Sequence, residues 1–474
     1  MGENNSERYI VAFEIGSSKI RGAVGVVDHS GVVDIVATEE EKLTDKVRYG
    51  CIQNVEVSNA LSCVVERLEA YQRVEPRQIT GAYVALGGRS LNITQVDVSI
   101  TLGSETEITR PLINDLMQKA AARIGSDRDV VDVVPVRFTV DNKTQNNPIG
   151  TYGQQLGARM SVVSCVPQIK RMLRRVIEER LGIDINGYIT RPLAEAEMVL
   201  TGDERRLGCM FVDFGAETIS VAIYKGGAPV YLATLPIGSR NITMDLCALN
   251  YTEERAEEIK KLIGNALGNV VAPEGGRRKN PADFIDNTEV NNYVHARADE
   301  IAANIMAQPE YAGLRDTDLP GGIVITGGGA RLKGFNDLLS QQSKMKVRVG
   351  APTGAVRISD GSVHGSEAVD VISIVVAAAK MPEAECVTPV EEVQENLAGG
   401  YEGMYGDDDP VDEGASRIGR LDDEFSEEPQ SKKTKEKEKK EEQGKKKGPG
   451  LLEILKVRIA GMMNDNSNWE GEDE

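Results

Sequence analysis

The sequence lacks a basic excess. Its 55 lysines and arginines face 74 aspartates and glutamates, a formal net charge of −19 over 474 residues. A chain that binds nucleic acid in general needs a basic face to displace counterions from phosphate, so nucleic acid is excluded as a general partner. Paired cysteines are also missing. Cys51, Cys63, Cys165, Cys209, Cys247 and Cys386 show no C-x-x-C spacing, and several lie in apolar runs such as Cys209-Met210-Phe211-Val212. That pattern predicts reduced, buried thiols in a cytoplasmic protein. No stretch approaches the roughly 18 apolar residues of a membrane span. The N-terminus, Met1 to Arg8, has neither a basic nor an apolar leader region, so a secreted or membrane-spanning protein is not expected. Gly2 followed by Ser6 is taken as a chance match to the N-myristoylation pattern.

What is present is α/β texture up to about Met381, long enough for two or more domains or a duplicated one. Strand-like runs such as Val32–Ala37 alternate with helical patterns such as Val57–Tyr71. From 383 to 450 the chain reads as a disordered linker, acidic first and then lysine-rich over Lys432–Lys447, with too few aromatic or β-branched residues to offset chain entropy. Gly448-Pro449-Gly450 is a break. Residues 451–463 are apolar and helical again, and 464–474 form an acidic tail containing Trp469.

The main clue is an internal repeat. Tyr9–Ile15 reads as a strand carrying Glu14, followed by Gly16-Ser17-Ser18-Lys19 and a second strand from Ile20 to Val27. About 200 residues on, Met210–Phe214 carries Asp213, followed by Gly215-Ala216-Glu217-Thr218 and a strand from Ile219 to Tyr224. Each copy then turns toward a third strand, giving a β-meander. A glycine turn between strands lets backbone N–H groups approach phosphate oxygens, and the acid at each strand end suits Mg²⁺ or its waters. Alone, either hairpin reads as a plain β-turn. A third glycine site follows, Gly327-Gly328-Gly329, between a buried strand and a helix starting near Gly334, and offers a floor without side chains for a nucleoside.

These three elements, in this order, resemble the actin and DnaK-type ATPase superfamily, and the segments around them are similar to its FtsA branch. The narrower resemblance rests on Tyr83-Val84-Ala85-Leu86-Gly87-Gly88, Val134-Pro135-Val136-Arg137-Phe138, Asn147-Pro148-Ile149-Gly150, Gly157-Ala158-Arg159-Met160, Leu200–Gly208 and Ala256–Lys260. It implies a two-lobed actin-like fold. Subdomain 1A would be 9–82, 164–192 and 352–382; 1C would be 83–163; 2A would be 193–250 and 321–351; 2B would be 251–320. The resemblance also implies ATP and Mg²⁺ as cofactors. Gly16, Ser17, Ser18 and Lys19 would meet the β- and γ-phosphates, and Gly215, Ala216, Glu217, Thr218 and Gly238 the second phosphate side. Glu14 and Asp213 would act on the metal, directly or through water. Glu257 and Lys260 would hold ribose and adenine, or else form an ion pair on a solvated helix face. Gly327, Gly328 and Gly329 would support the adenosine.

Two residues depart from that pattern. Glu217 puts a carboxylate in a phosphate loop, where it would face away or weaken binding. Arg191, in Thr190-Arg191-Pro192-Leu193, stands where relatives carry a residue that orients the attacking water, and a permanently protonated arginine is a poor base. ATP binding with weak or negligible hydrolysis is the expectation, with no firm catalytic residue.

In the C-terminal segment Leu451, Leu452, Leu455, Ile459, Met462 and Met463 fall in a sector about 120° wide, flanked by Lys456 and Arg458. At about 13 residues this helix suits an interface and cannot span. Six side chains at about 1.5 kcal/mol each give a gross term near 9 kcal/mol, while ordering costs about 1 kcal/mol or more per residue. One copy would bind an anionic membrane marginally, and a filament of copies would add avidity. Docking onto the protein's own core or a partner groove is the other reading of the helix. The resemblance further implies polymerisation with itself, later division proteins bound through 1C, and the tail of the tubulin-like FtsZ bound in 2B. Arg297 is the candidate for that tail, or a plain surface residue. A soluble actin-fold kinase and a rod-shape or pilus-assembly scaffold are the alternatives.

Overall fold

The computed structural model describes residues 8–390 except 29, 44–46, 49–50, 53–56, 269–285, 354–355 and 360–367. The fold below is that of the unit up to Thr388. The expected linker beyond 390, the terminal helix and the acidic tail lie outside the described residues.

The first lobe opens with a meander, β1 (Arg8–Ile15), β2 (Lys19–Val27) and β3 (Val33–Lys42), each antiparallel to the next. Helix α1 (Val57–Glu69) covers one face with Leu61, Val64 and Leu68. β4 (Gly81–Leu86) then runs parallel to β1 and is buried along its whole length, as expected of a strand covered on both faces.

An insertion follows: β5 (Asn92–Glu107), α2 (Arg110–Ala121), β6 (Asp129–Val140), β7 (Lys143–Gln145) and β8 (Tyr152–Cys165). Its sheet has the order β7-β6-β8-β5, all antiparallel. Leu156, Ala158, Met160 and Val162 alternate along β8, so they share one face, and that face packs with Leu116 and Met117 of α2.

The chain returns through α3 (Pro167–Leu181), which stops at Gly182 in the left-handed region (φ 68°), to β9 (Asp184–Thr190), parallel to β4. α4 (Arg191–Val199) and the short α5 (Gly202–Leu207) lead into the second lobe.

That lobe repeats the scheme. β10 (Cys209–Phe214), β11 (Ile219–Lys225) and β12 (Ala228–Leu235) form an antiparallel meander. The chain continues through α6 (Ser239–Leu246), α7 (Glu253–Ile263) and α8 (Asn287–Met306) to β13 (Ile323–Thr326), parallel to β10. α9 (Phe335–Ser343) and β14 (Val347–Val349) close the sheet. Last come β15 (Val356–Ile358), parallel to β3, and α10 (Val369–Ala379), which is apolar on nearly every side and buried in the first core. The two sheets run β15-β3-β2-β1-β4-β9 and β12-β11-β10-β13-β14. The meander, the parallel strand beside its first member and the next parallel strand recur in the same order.

Three boundaries differ from the sequence reading. Tyr83–Leu86 lie inside the first sheet as β4, so the insertion begins after them. α4 packs Leu193, Ala196 and Met198 into a core that also holds Phe211, Ala222 and Tyr224 of the second meander, so the boundary drawn after 192 falls within a helix that both lobes share. Ordered structure also extends beyond Pro382. The Thr80 N–H donates to Cys386 O at 3.0 Å, and the Thr80 and Thr388 hydroxyls lie 2.8 Å apart. Just before that segment, Arg8 donates to Ala379 O and Met381 O.

Candidate functional site

The two repeated hairpins are equal in detail. Ile15 pairs with Ile20 and Phe214 with Ile219, each across a four-residue loop. The Gly16 N–H donates to Lys19 O and the Gly215 N–H to Thr218 O, both at 3.0 Å. Residues of both loops line one cleft of about 1300 Å³, together with Glu257, Lys260, Gly327, Gly328 and Gly329. These residues thus meet in a single cavity, although they span more than 300 positions.

Gly238 does not line the cleft but stands behind the second loop. A Cβ there would meet Ala216 O at 2.2 Å, so only glycine lets the N-terminus of α6 lie against Ala216-Glu217. Ser239 N–H donates to Gly215 O (3.0 Å) and Arg240 N–H to Ala216 O (2.7 Å), tying helix to loop. Glu217 is held from that helix as well. Arg240 Nη1 donates to its Oε1 at 2.8 Å while Nε donates to Glu253 Oε1 at 2.6 Å. The extra carboxylate of the second loop thus arrives with its own counter-charge.

The triple glycine is not uniformly open. Gly327 adopts φ 87°, and Gly329 rests on the Phe214 ring, where a Cβ would come within 2.5 Å. Around Gly328 a Cβ would meet nothing within 4 Å, so the open floor is at that residue. Glu257 and Lys260 pair at 2.6 Å, and Lys260 Nζ also donates to Ser239 O and Thr243 Oγ1. The lysine is 7% exposed, which excludes a solvated helix face for it. Burial holds the Lys260 ammonium below its usual pKa, against the attraction of Glu257.

The cleft floor carries the residue that departs most from the expected pattern. Arg191 begins α4, directly after β9. Its Nη2 lies 2.8 Å from Asp213 Oδ2, its Nη1 3.3 Å from Glu195 Oε1 and its Nε 3.7 Å from Glu14 Oε1. Thr326 Oγ1 donates to the other oxygen of Glu195 at 3.3 Å. Burial raises Glu14 to about 7 despite Arg191, raises Asp213, and pushes Glu195 well above the carboxylate range with help from the Asp213 charge. Burial disfavours the Arg191 charge, yet Asp213, Glu195 and Glu14 together hold its pKa above the usual value. Glu14 and Asp213 are therefore brought together, as a pair of metal-side acids requires, but around a guanidinium. As they stand they do not fit a divalent ion between them.

Several members of the site were not named from sequence. Glu195 was signalled only by its i, i+4 spacing from Arg191. Arg21, paired to Asp370 at 2.7 Å across 349 positions, had no local signal. Arg297 lies outside the cleft, on α8. It makes a two-pronged pair with Asp245 of α6 (2.6 and 2.9 Å) and also meets Glu300.

A meander-bearing lobe present twice, with one glycine hairpin from each copy on a single cleft, defines an actin-like ATPase fold. Consistent with this, the protein superposes on a chain of a PilM–PilN type IV pilus biogenesis complex with a TM-score of 0.56 at 13% identity, covering 78% of this chain and 98% of that one. Residues 210–373 match the family model for cell division protein FtsA, and residues 88–164 match that for the SHS2 domain inserted in FtsA. The cell division protein FtsA of Porphyromonas gingivalis is 31% identical over 346 residues, 71% of this chain and 72% of that protein. That of Escherichia coli K12 is 28% identical over 374 residues, 74% and 86% of the two chains. The chain belongs to the FtsA family of cell division proteins.

Proposed function

We propose that this protein binds ATP in the two-hairpin cleft, assembles with copies of itself on the cytoplasmic face of the cell membrane, and anchors FtsZ there. The observation that carries the nucleotide part is the matched pair of glycine loops on one cleft, since successive backbone N–H groups in such turns can donate to phosphate oxygens. Glu257 and Lys260, fixed by Thr243 and Ser239, offer a polar edge for ribose and base. Gly328 leaves room for the nucleoside. Turnover is slow or absent, because Arg191 on the cleft floor cannot accept a proton.

The amphipathic pattern over 451–463 supports attachment to anionic lipid at division sites, and the insertion supports contact with later division proteins. Its match over 88–164 favours the division role over a kinase or a pilus or rod-shape scaffold. Arg297 would serve FtsZ by exchanging Asp245 for a carboxylate of the tail.

Co-sedimentation with anionic vesicles and ATP tests the reading, comparing the whole chain with one ending at Gly448. Lipid binding by the whole chain alone is expected. If both forms stay in solution, the membrane role falls and the soluble alternatives move ahead.

A further inference from the structure

We infer that Arg191 is the resident cation of the cleft floor, filling the place between Glu14 and Asp213 that a divalent ion would need, so that the cleft takes its nucleotide as the metal-free polyphosphate. This rests on the nucleotide reading above and adds to it what neutralises the site. Mg²⁺ demands oxygens at about 2.0–2.1 Å in octahedral array and keeps several waters. Here one acid from each hairpin already faces the same guanidinium, at 3.7 and 2.8 Å, and a third acid, Glu195, holds it from the next turn of α4.

The seat is built rather than incidental. The Arg191 side chain is 15% exposed. It lies below Gly87, where a Cβ would reach its Nε at 3.4 Å. A cation in the first turn of a helix opposes the helix dipole, so α4 does not favour it there and the three acids must. Its charge is permanent, because a guanidinium does not deprotonate in proteins. For the phosphates themselves, Lys42, Arg331 and Lys333 line the same cleft.

The test uses the whole chain and ATP, with affinity measured by titration calorimetry in EDTA and again in excess MgCl₂. For the wild type the two dissociation constants are expected to agree within about threefold. For Arg191→Gln, affinity in EDTA falls by about tenfold or more and Mg²⁺ restores it. Mn²⁺ followed by water proton relaxation adds a second readout: the variant with ATP retains protein-bound Mn²⁺ and the wild type with ATP does not. Arg191→Lys, which keeps the charge, stays independent of metal, and it stands in if the glutamine variant fails to fold. Wild-type affinity that drops about tenfold or more in EDTA overturns the inference and leaves the nucleotide reading intact. Absence of ATP binding in both buffers removes the nucleotide reading and the inference together.

Discussion

Replacing Gly238 with alanine adds one methyl group at the joint between α6 and the second glycine loop. The new Cβ would lie 2.2 Å from Ala216 O, 2.5 Å from its carbonyl carbon and 2.7 Å from Glu217 N. All three are backbone atoms, so no side chain can turn away. The loop and helix must part by more than 1 Å to reach an ordinary contact of about 3.4 Å. That movement stretches the bonds from Ser239 N–H to Gly215 O and from Arg240 N–H to Ala216 O past useful length. Two hydrogen bonds at about 1 kcal/mol each, with an overpacking cost of about 1–3 kcal/mol, give a loss of about 3–5 kcal/mol. Because the displaced atoms belong to the phosphate loop, ATP affinity should fall as well, by tenfold or more on the scale of about 1.4 kcal/mol per decade. Gly226→Ala provides the control. Gly226 sits at φ 62° in the β11–β12 turn, with nothing within 4 Å of its added Cβ. There the left-handed backbone alone costs about 1–2 kcal/mol, and the cleft is untouched. Urea denaturation and ATP titration of both variants decide the matter. If Gly238→Ala melts and binds as the Gly226 variant does, the loop is not set by its contact with α6.

Other outcomes follow from the same geometry. Glu14 has a folded pKa of about 7 against an ordinary 4.5. Its contribution to stability is complete below pH 4.5 and is lost as pH rises through 7. The stability of Glu14→Gln relative to wild type should therefore rise by about 2–3 kcal/mol between pH 5 and pH 8, read from paired denaturant curves. A difference that stays flat with pH would mean Arg191 keeps Glu14 ionised throughout. Lys260→Met removes one of the two lysines paired to Glu257 and the donor to Ser239 O, so it should cost about 1–3 kcal/mol and weaken ATP binding; unchanged ATP affinity would take the pair out of the site. Arg297→Glu sets like charges against Asp245 and Glu300, and pairing it with Asp245→Arg should restore thermal stability. FtsZ-tail binding that survives in that double variant would reduce Arg297 to a structural role.

The hairpins were legible because everything that specifies them is local: a strand, an acid, a glycine turn and a second strand within about 20 residues. The misplaced boundaries have equally physical causes. Tyr83–Leu86 is an unbroken apolar run with glycines after it, and period alone cannot say to which sheet a fully buried strand belongs. Pro192 sits in the first turn of α4, where its missing N–H costs nothing, so the helix runs straight through the boundary set after 192. Pro382 looked like an ending, yet its carbonyl accepts from the Tyr83 hydroxyl at 3.1 Å, a contact across 299 positions that no local pattern encodes.

The departures at Glu217 and Arg191 were visible in sequence as foreign charges, and only their partners were hidden. Each turns out to be balanced from a different element, Glu217 by Arg240 at the start of α6 and Arg191 by Glu14, Asp213 and Glu195. A buried charge is expensive alone and tolerable when paired, so such residues must change together. The same coupling gives the site its asymmetry. The excess negative charge of the second loop is drawn back against α6, while the permanent positive charge stands at the centre of the floor, where the phosphates of a bound nucleotide would approach it from both hairpins.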